Sequence, residues 1–173
     1  YNRASTLPRL HHSLCTQSFS DFEWLIVDDA STDNTWQVLD DISVSAPFPM
    51  RAARMPSNGG KHRAINYGVQ LARGELIFIV DSDDYLPSDS LDLLDRAERS
   101  IPKGDKSLYA GVCGLRAFPD GKPIGTTFEG RFVDLTTLQR ATHGISGDKA
   151  EVFYAEILRS YPFPEYSGEN FMT

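Results

Sequence analysis

Cysteine is scarce in this chain. Among 173 residues there are only Cys15 and Cys113, far apart in the sequence and without the C-x-x-C spacing of metal or redox motifs. This scarcity argues against a disulfide framework and against a cysteine-based zinc site. A reducing compartment, and therefore a cytoplasmic location, is the simpler interpretation.

Long hydrophobic runs and clusters of basic residues are also missing. The longest apolar runs are about five residues, whereas roughly 20 are needed to span a bilayer. The 17 basic residues are scattered, and 24 acidic residues bring the net charge to −7, which is unfavourable for binding a phosphate backbone. We expect no membrane-spanning segment and no nucleic-acid partner. Peripheral association with the cytoplasmic face of a membrane stays open, as does the oligomeric state.

The overall composition is typical of a soluble globular domain. Hydrophobic residues make up 40% and charged residues 24% of the chain, close to the usual proportions. The length suits one domain with one substantial core, so residues 1–173 are expected to form a single domain. The sequence has no initiator methionine and no signal-peptide pattern, which predicts that some N-terminal sequence lies outside it.

Short apolar segments alternate with amphipathic segments through the first hundred residues. Strands are expected at 23–27 and 76–80, and more weakly at 50–55. Apolar residues at helical spacing predict helices at 6–18, through Trp36, Leu39 and Ile42, through Ile65 to Ala72, and through Leu91 to Ile101. The alternation predicts an α/β fold, Rossmann-like, with a mostly parallel sheet flanked by helices.

The pattern changes after residue 105. We expect a strand at 107–118, a Gly/Pro-rich excursion at 119–130 and a short helix at 134–141. The apolar-rich segment 150–161 fits either a strand or a helix.

The stretch ELIFIVDSDDYLP indicates a strand buried on both faces that runs directly into Asp81, Asp83 and Asp84. A second strand, WLIVDD, ends in Asp28 and Asp29. Since the carboxyl ends of parallel strands meet at one edge of a sheet, these five acids are expected to converge there. Crowded carboxylates raise one another's pKa values, which predicts a bound cation. The alternative is that these residues are solubilising acids at loop starts.

Oxygen-only ligands favour Mg²⁺ or Mn²⁺, and such ions keep free positions for water and phosphate oxygens. An acidic site of this kind can therefore bind an anionic diphosphate through the metal ion.

Three segments resemble the family 2 glycosyltransferases, which are inverting enzymes with the GT-A fold that use nucleotide sugars. They are WLIVDDASTDNTW, NGGKHRAINYGVQLARGELIFIVDSDDYLP and GDKAEVFYAEILRSYPFPEYSGENF. The resemblance covers nearly the whole chain, with the motifs in the family's order. It implies a GT-A domain with a nucleotide-sugar-binding part at 1–104 and an acceptor-side α+β extension at 105–173. It also implies that the family's first strand and C-terminal region lie outside this sequence.

The resemblance assigns roles on the donor side. Asp29 matches the acid that recognises the base, through the N3–H of uracil, and Asp81 matches the acid near the ribose. Asp83 matches the metal ligand of the D-x-D motif, with Asp84 as an alternative or supporting ligand. The predicted nucleotide-sugar-binding residues are Tyr1, Asp29, Asn58, Gly60, Lys61 and Asp81, and the predicted cofactor is Mn²⁺ or Mg²⁺.

In the loop Asn58-Gly59-Gly60-Lys61, glycine permits close approach of the backbone, and the helix start favours anions. Lys61 can place its charge on the diphosphate. Many relatives have arginine where Ile65 stands here, and His62 and Arg63 are the candidate substitutes for it.

Inverting transfer needs a general base for the acceptor hydroxyl. Many relatives use a Glu-Asp pair, but here the matching stretch is Ser167-Gly168-Glu169-Asn170, so Glu169 is the candidate base by default. His143 and Asp148 are candidate acceptor contacts.

These roles predict a metal-dependent transfer of a sugar from a nucleoside diphosphate sugar to a carbohydrate or lipid-linked acceptor, with UDP as the expected nucleotide. A nucleotidyltransferase on a similar sheet is one alternative, although the Gly-rich, basic N-terminal signature of such enzymes is not visible. A non-catalytic nucleotide-binding domain is the other, favoured by Asn170 and Ile65. The donor sugar, the acceptor and the linkage stay open.

Overall fold

A computed structural model of the chain describes residues 1–130 and 132–169. The helices within these residues are α1 (Leu7–Cys15), α2 (Thr35–Ser45), α3 (Lys61–Leu71), α4 (Ser90–Arg99), α5 (Thr137–Thr142) and α6 (Ala155–Ser160). The strands are β1 (Trp24–Asp28), β2 (Met50–Arg54), β3 (Leu76–Phe78), β4 (Gly111–Leu115) and β5 (Lys149–Tyr154). No helix among the described residues is both long enough and apolar enough to cross a membrane.

The chain forms two compact units. Of the described residues, the first unit contains 1–112 and 152–169, and the second contains those between 113 and 151. Strand β4 leads the chain out of the first unit and β5 leads it back. The predicted division into a donor part and an acceptor part at residue 104 stays a prediction.

The strands pair in two sheets. β1 and β2 pair in parallel, from Trp24 with Met50 to Asp28 with Arg54, and α2 forms the connection between them. β3 pairs with β5 antiparallel, from Leu76 with Tyr154 to Phe78 with Val152, and β4 flanks β5. The parallel pair and its flanking helices confirm the predicted α/β class.

Helix α1 supplies the predicted apolar stripe. Leu7, Leu10 and Leu14 are all buried, because their spacing of three and four residues places them on one face of the helix. Leu7 packs with residues of α2, and the other two pack with Leu86. Burial of each such side chain is worth roughly 1.5–3 kcal/mol.

The prediction that Leu76–Val80 is buried on both faces is wrong. β3 covers only Leu76–Phe78, and every side chain from 76 to 80 is half-buried. One edge of β3 pairs with β5, whereas residues 76–80 also line a groove described below. These side chains are therefore only partly covered by the protein.

The region after residue 105 differs in detail from the prediction. The expected strand 107–118 is a 3₁₀ turn at Lys106–Leu108 followed by the shorter β4. A Cβ atom at Gly111 would lie 1.9 Å from the carbonyl oxygen of Val152, so β4 needs glycine at its close approach to β5. The ambiguous segment 150–161 contains both alternatives, since β5 continues directly into α6.

A buried carboxylate joins α4 to the 3₁₀ turn and to β5. Glu98 is 7% exposed and accepts hydrogen bonds from Lys106 Nζ and, at 3.0 Å, from the hydroxyl of Tyr154. Burial alone would raise the pKa of the Glu98 carboxyl, but these two donors outweigh it and hold the pKa below its ordinary value. Burial and the same contact raise the pKa of Tyr154 to about 12.

We expect Glu98→Gln to reduce the free energy of unfolding by roughly 1–3 kcal/mol at pH 7, because hydrogen bonds to a charged acceptor are replaced by weaker ones. The folded-state pKa of Glu98 is lowered. Its stabilising contribution is therefore present above the unfolded pKa of about 4.3 and is lost as the pH falls through the folded value. Urea unfolding at pH 7 and at pH 3–4 measures the change, and the gap between wild type and variant should shrink at the lower pH.

The control is Asp95→Asn, which removes an i,i+4 pair with Arg99 on the same helix, where the Arg99 side chain is 71% exposed. This variant should have a much smaller effect at pH 7. Equal losses in the two variants would contradict a special role for Glu98.

Candidate functional site

A groove of about 1530 Å³ in the first unit gathers most of the residues that the sequence predicted for a donor site. Both acid-ended strand segments reach it, since residues 24–27 and 76–80 line it. Glu169 is described but does not line this groove. Seven of the eight predicted site residues do, namely Tyr1, Asp29, Asn58, Gly60, Lys61, Asp81 and Asp83.

Asp29 holds the loop that precedes α3. It follows β1 directly and is 5% exposed. Its Oδ1 accepts a hydrogen bond from Gly59 N–H at 2.7 Å, and its Oδ2 accepts one from Gly60 N–H at 2.8 Å. Such charge-assisted bonds are strong, and the start of a helix favours a negative charge. Because each oxygen has a further lone pair, this role is compatible with the predicted contact to uracil.

Gly60 has φ 88° and ψ 165°, a backbone conformation that is essentially restricted to glycine. The backbone conformation alone therefore requires glycine at position 60, whether or not a ligand approaches the backbone there.

The first residues of the chain are bound to the loop after β1. Asn2 Oδ1 accepts hydrogen bonds from Thr32 N–H at 2.9 Å and Asp33 N–H at 3.3 Å. Asn2 N–H donates to Ser31 Oγ at 2.8 Å. The hydroxyl of Tyr1 lies 3.2 Å from that of Thr32. These contacts place Tyr1 beside the groove.

The contacts of Asp28 hold the turn that follows β1. Its side chain is buried, with Oδ1 accepting from Ser31 N–H at 3.1 Å. Oδ2 lies 3.3 Å from Arg54 Nε, an ion pair without hydrogen-bond geometry. Arg54 also donates to the carbonyl of Ser31 at 2.6 Å. These contacts hold a turn in which Ala30 is left-handed, with φ 57°, a conformation that costs a non-glycine residue about 1–2 kcal/mol.

Basic side chains lie beside two of the acids that follow β3. Lys61 Nζ forms an ion pair with Asp81, and Arg3 Nη1 lies 4.0 Å from Asp83 Oδ2. Arg9 donates to the backbone carbonyl of Asp83. The sequence predicted that a bound cation must balance these carboxylates, but the chain supplies counter-charges of its own.

The five acids do not form a metal cluster. Among residues 1–130 and 132–169, no three acidic, histidine or cysteine side chains lie close enough together to hold a metal ion. Asp28 and Asp29 are buried with their own partners, whereas the side chain of Asp83 is 51% exposed and faces the groove. The arrangement offers a divalent ion one or two carboxylates rather than a complete set of protein ligands.

Glu169 lies at the end of a segment that contacts α3. The residue is exposed, and its N–H donates to the carbonyl of Tyr166 at 3.3 Å. The same carbonyl accepts a hydrogen bond from Arg63 at 2.7 Å. Asn170, which completes the family's paired-acid position, lies outside the described residues.

The substitutes considered for the missing arginine at Ile65 have different environments. His62 is 2% exposed, and its Nδ1 is buried without a hydrogen-bond partner among residues 1–130 and 132–169. Its burial makes it an unsuitable diphosphate ligand. Arg63 is half-buried and directed to backbone carbonyls.

The two candidate acceptor contacts belong to the second unit. His143 Nδ1 lies 2.9 Å from the carbonyl oxygen of Gln139, and Asp148 forms an ion pair with Arg116.

Sequence reasoning missed several residues that hold the site. Arg9 combines its bond to Asp83 with a cation–π contact 4.9 Å above the ring of Tyr85. Nothing near Arg9 in the sequence points to a loop 74 residues away. Asn66 was also missed; its only signal was weak, because it lies three residues after Arg63 on the same helical face.

Comparison with known proteins identifies the family. The family model for Glycosyl transferase family 2 matches residues 1–123. The chain belongs to this family. It is 33% identical over 94 residues to the poly(ribitol-phosphate) beta-N-acetylglucosaminyltransferase TarS of Staphylococcus aureus, an alignment that covers 53% of this chain and 16% of TarS.

Solved glycosyltransferases are similar in fold to this family 2 member. The crystal structure of TarS 1-349 in complex with UDP-GlcNAc matches 98% of this chain and 48% of its own, with 25% identity and a TM-score of 0.63. A mannosyltransferase from Pyrobaculum calidifontis, in complex with GDP-Man and Mn²⁺, matches 56% of this chain and 28% of its own, with 27% identity and a TM-score of 0.51. These likenesses confirm the predicted family and its GT-A fold. The chain spans less than a third of the length of the first curated relatives that it matches.

We expect Asp29→Asn in this family 2 domain to reduce the free energy of unfolding by roughly 2–3 kcal/mol. Asparagine has only one acceptor oxygen for the two glycine N–H groups, and its NH₂ group would face the second donor. Urea unfolding measures the loss.

The control for this variant is Asp33→Asn. Asp33 is exposed, and its Oδ1 accepts from the N–H and the hydroxyl of Thr35, contacts that asparagine can reproduce. A loss in Asp29→Asn no larger than in this control would contradict the role of Asp29 in holding the loop.

Proposed function

We propose that this chain is the donor-binding part of an inverting glycosyltransferase. It would transfer a sugar from a UDP-sugar to a hydroxyl group of a carbohydrate or lipid-linked acceptor. The observation that carries the proposal is the single groove lined by Tyr1, Asp29, Lys61, Asp81 and Asp83. UDP is favoured over GDP because the UDP-GlcNAc complex of TarS matches far more of the chain than the GDP-Man complex of the mannosyltransferase.

Lys61 is proposed to change partners when the donor binds. Its ion pair with Asp81 is solvent-exposed, with side chains 51% and 36% accessible, and such pairs contribute little to stability. A diphosphate at the start of α3 can therefore attract Lys61 at small cost. Asp81 is then free to accept hydrogen bonds from ribose hydroxyls, which is its proposed role.

Asp83 is the residue that would hold a divalent ion. Its exposed carboxylate fits the usual Mg²⁺ or Mn²⁺ arrangement, in which one or two carboxylates share the ion with substrate phosphates. When bound, the ion would supply positive charge to the leaving diphosphate. Arg9 fixes the backbone of Asp83, so the loop is held before any ligand arrives.

Glu169 is proposed as the general base. Its carboxylate would accept the proton of the acceptor hydroxyl while that oxygen bonds to the anomeric carbon and the bond from carbon to diphosphate breaks. UDP leaves with the bonding electron pair, and Lys61 stabilises the negative charge that develops on it.

We expect UDP with Mn²⁺ to raise the melting temperature of the wild-type chain, and a chelator to abolish most of the increase. Asp83→Ala should lose the Mn²⁺-dependent part, because Asp83 would be the protein ligand of the ion. Differential scanning fluorimetry with UDP, with and without Mn²⁺, measures the effect.

The control is Asp84→Ala, because Asp84 adjoins Asp83 but does not line the groove. This variant should respond to UDP and Mn²⁺ as wild type does. If wild type shows no shift, the proposal of a metal-diphosphate site is wrong; if only Asp84→Ala loses the response, Asp84 is the ligand instead.

We expect Glu169→Gln in the full protein to lower the rate of sugar transfer by roughly 10²–10⁴-fold, the usual contribution of a general base. Affinity for UDP should stay within about threefold. A screen of UDP-sugars for release of UDP identifies the donor and separates transfer from nucleotidyl transfer, which would release a different product. Glu156→Gln, an exposed glutamate on α6, is the control. Full activity in Glu169→Gln would remove Glu169 as the base.

A further inference from the structure

The last described segment of the first unit runs along α3 in the opposite direction to the helix. At the C-terminal end of α3, Arg159 Nη2 donates to the carbonyl of Ala72 at 2.9 Å. Further along the segment, Phe163 contacts Asn66. Tyr166 follows in the segment, and its carbonyl accepts a hydrogen bond from Arg63, one turn nearer the start of the helix. The segment therefore approaches the N-terminal end of α3, where Lys61 lies.

Asn66 uses both ends of its amide to hold this segment. Its Nδ2 donates to the carbonyl of Phe163 at 2.8 Å, and its Oδ1 accepts from the N–H of Phe163 at 2.9 Å. Nδ2 also donates to Glu165 Oε1 at 2.7 Å. Only an amide side chain offers a donor and an acceptor in this arrangement, so neither aspartate nor leucine can reproduce it.

Arg63 connects the donor loop to the turn that carries Glu169. Nη1 donates to the carbonyl of Gly59 at 3.3 Å, and Nη2 donates to the carbonyl of Tyr166 at 2.7 Å. Nε lies 3.5 Å from Glu165 Oε2. The Tyr166 carbonyl also accepts the N–H of Glu169. A single carbonyl group therefore lies between the guanidinium and the backbone of the candidate base.

Both ends of this connection belong to the candidate site. Gly59 N–H is bound by Asp29 on one side of the loop, while the carbonyl of Gly59 is bound by Arg63 on the other. Guanidinium is suited to this task because its donors form a rigid planar fork. Lysine has a single flexible point charge and cannot fix two carbonyl groups with the same geometry.

We propose that Arg63 and Asn66 are positioning residues that set the location of Glu169 relative to the diphosphate-binding loop. This inference rests on the proposed function, because it takes Glu169 as the base and the loop at Asn58–Lys61 as part of the donor site. Neither residue lines the groove of the proposed donor site. They act through the backbone of residues 163–166, so they govern the turnover step rather than donor affinity.

The test uses the full protein with a UDP-sugar that wild type turns over. Arg63→Ala is expected to lower kcat at least tenfold while KM for the UDP-sugar and Kd for UDP change less than threefold. A displacement of about 1 Å in a reacting group is enough for losses approaching 10²-fold. Arg63→Lys should recover part of kcat, and Asn66→Ala should resemble Arg63→Ala.

The matched control is Arg159→Ala. It removes another arginine that donates to a backbone carbonyl, but the acceptor is Ala72, just beyond the end of α3 that is remote from Lys61. Its kcat should stay within about twofold of wild type. Hydrogen–deuterium exchange supplies a readout that is independent of activity: peptides covering 163–169 should exchange faster in Arg63→Ala, whereas Arg159→Ala should leave 166–169 unchanged.

Each outcome has a distinct meaning. If wild type neither binds UDP nor turns over any UDP-sugar, the proposed function is wrong. If wild type is active but Arg63→Ala keeps its kcat, or loses kcat only as much as Arg159→Ala does, the positioning role is overturned and the proposed function stands. Unchanged exchange of 163–169 in Arg63→Ala also overturns it.

Discussion

The pair of hydrogen bonds from Gly59 and Gly60 to the carboxylate of Asp29 is the interaction on which the rest of the candidate site depends. It joins the end of β1 to the start of α3, two elements separated by α2 and β2. A carboxylate satisfied by two backbone donors is costly to displace, so these bonds oppose movement of the loop. The same bonds position Lys61 and Arg63, because both residues belong to the first turn of α3, which follows this loop.

Three acids near the ends of β1 and β3 have a basic partner within the protein. Asp81 is close to Lys61, Asp83 is close to Arg3, and the buried Asp28 is close to Arg54. The positive charges of these pairs reduce the repulsion between carboxylates that lie near the strand ends. The exposed pairs are weak, and a charged ligand can replace one partner of each. The buried acids Asp28 and Asp29 accept hydrogen bonds from backbone N–H groups, whereas Asp81 and Asp83 lie close to exposed basic side chains.

Much of the fold was predictable because its signals are local. The stripe of Leu7, Leu10 and Leu14 depends on spacing within one helix, and all three residues are buried as predicted. The strand that ends in Asp28 is also where the sequence predicted it, although its acids form no metal cluster with those after β3. Pairings between distant segments left no such signal. The antiparallel partner of β3 is β5, more than seventy residues later, and the counter-charge of Asp83 comes from Arg3 near the start of the chain. The half-burial of residues 76–80 escaped prediction because apolar composition does not reveal how much of a strand is covered.

Because β4 and β5 are adjacent, the length of the chain between them can vary. They are neighbours in one sheet, and Tyr154 N–H donates to the carbonyl of Ala110 at 2.9 Å. The chain therefore leaves and re-enters the first unit at adjacent points. Doubling the length of a flexible loop with fixed ends costs only about 0.6 kcal/mol. Insertions and deletions between these strands can accumulate while the register of residues 155–169 on α3 is preserved, whereas one inserted residue within 161–168 would shift every later contact.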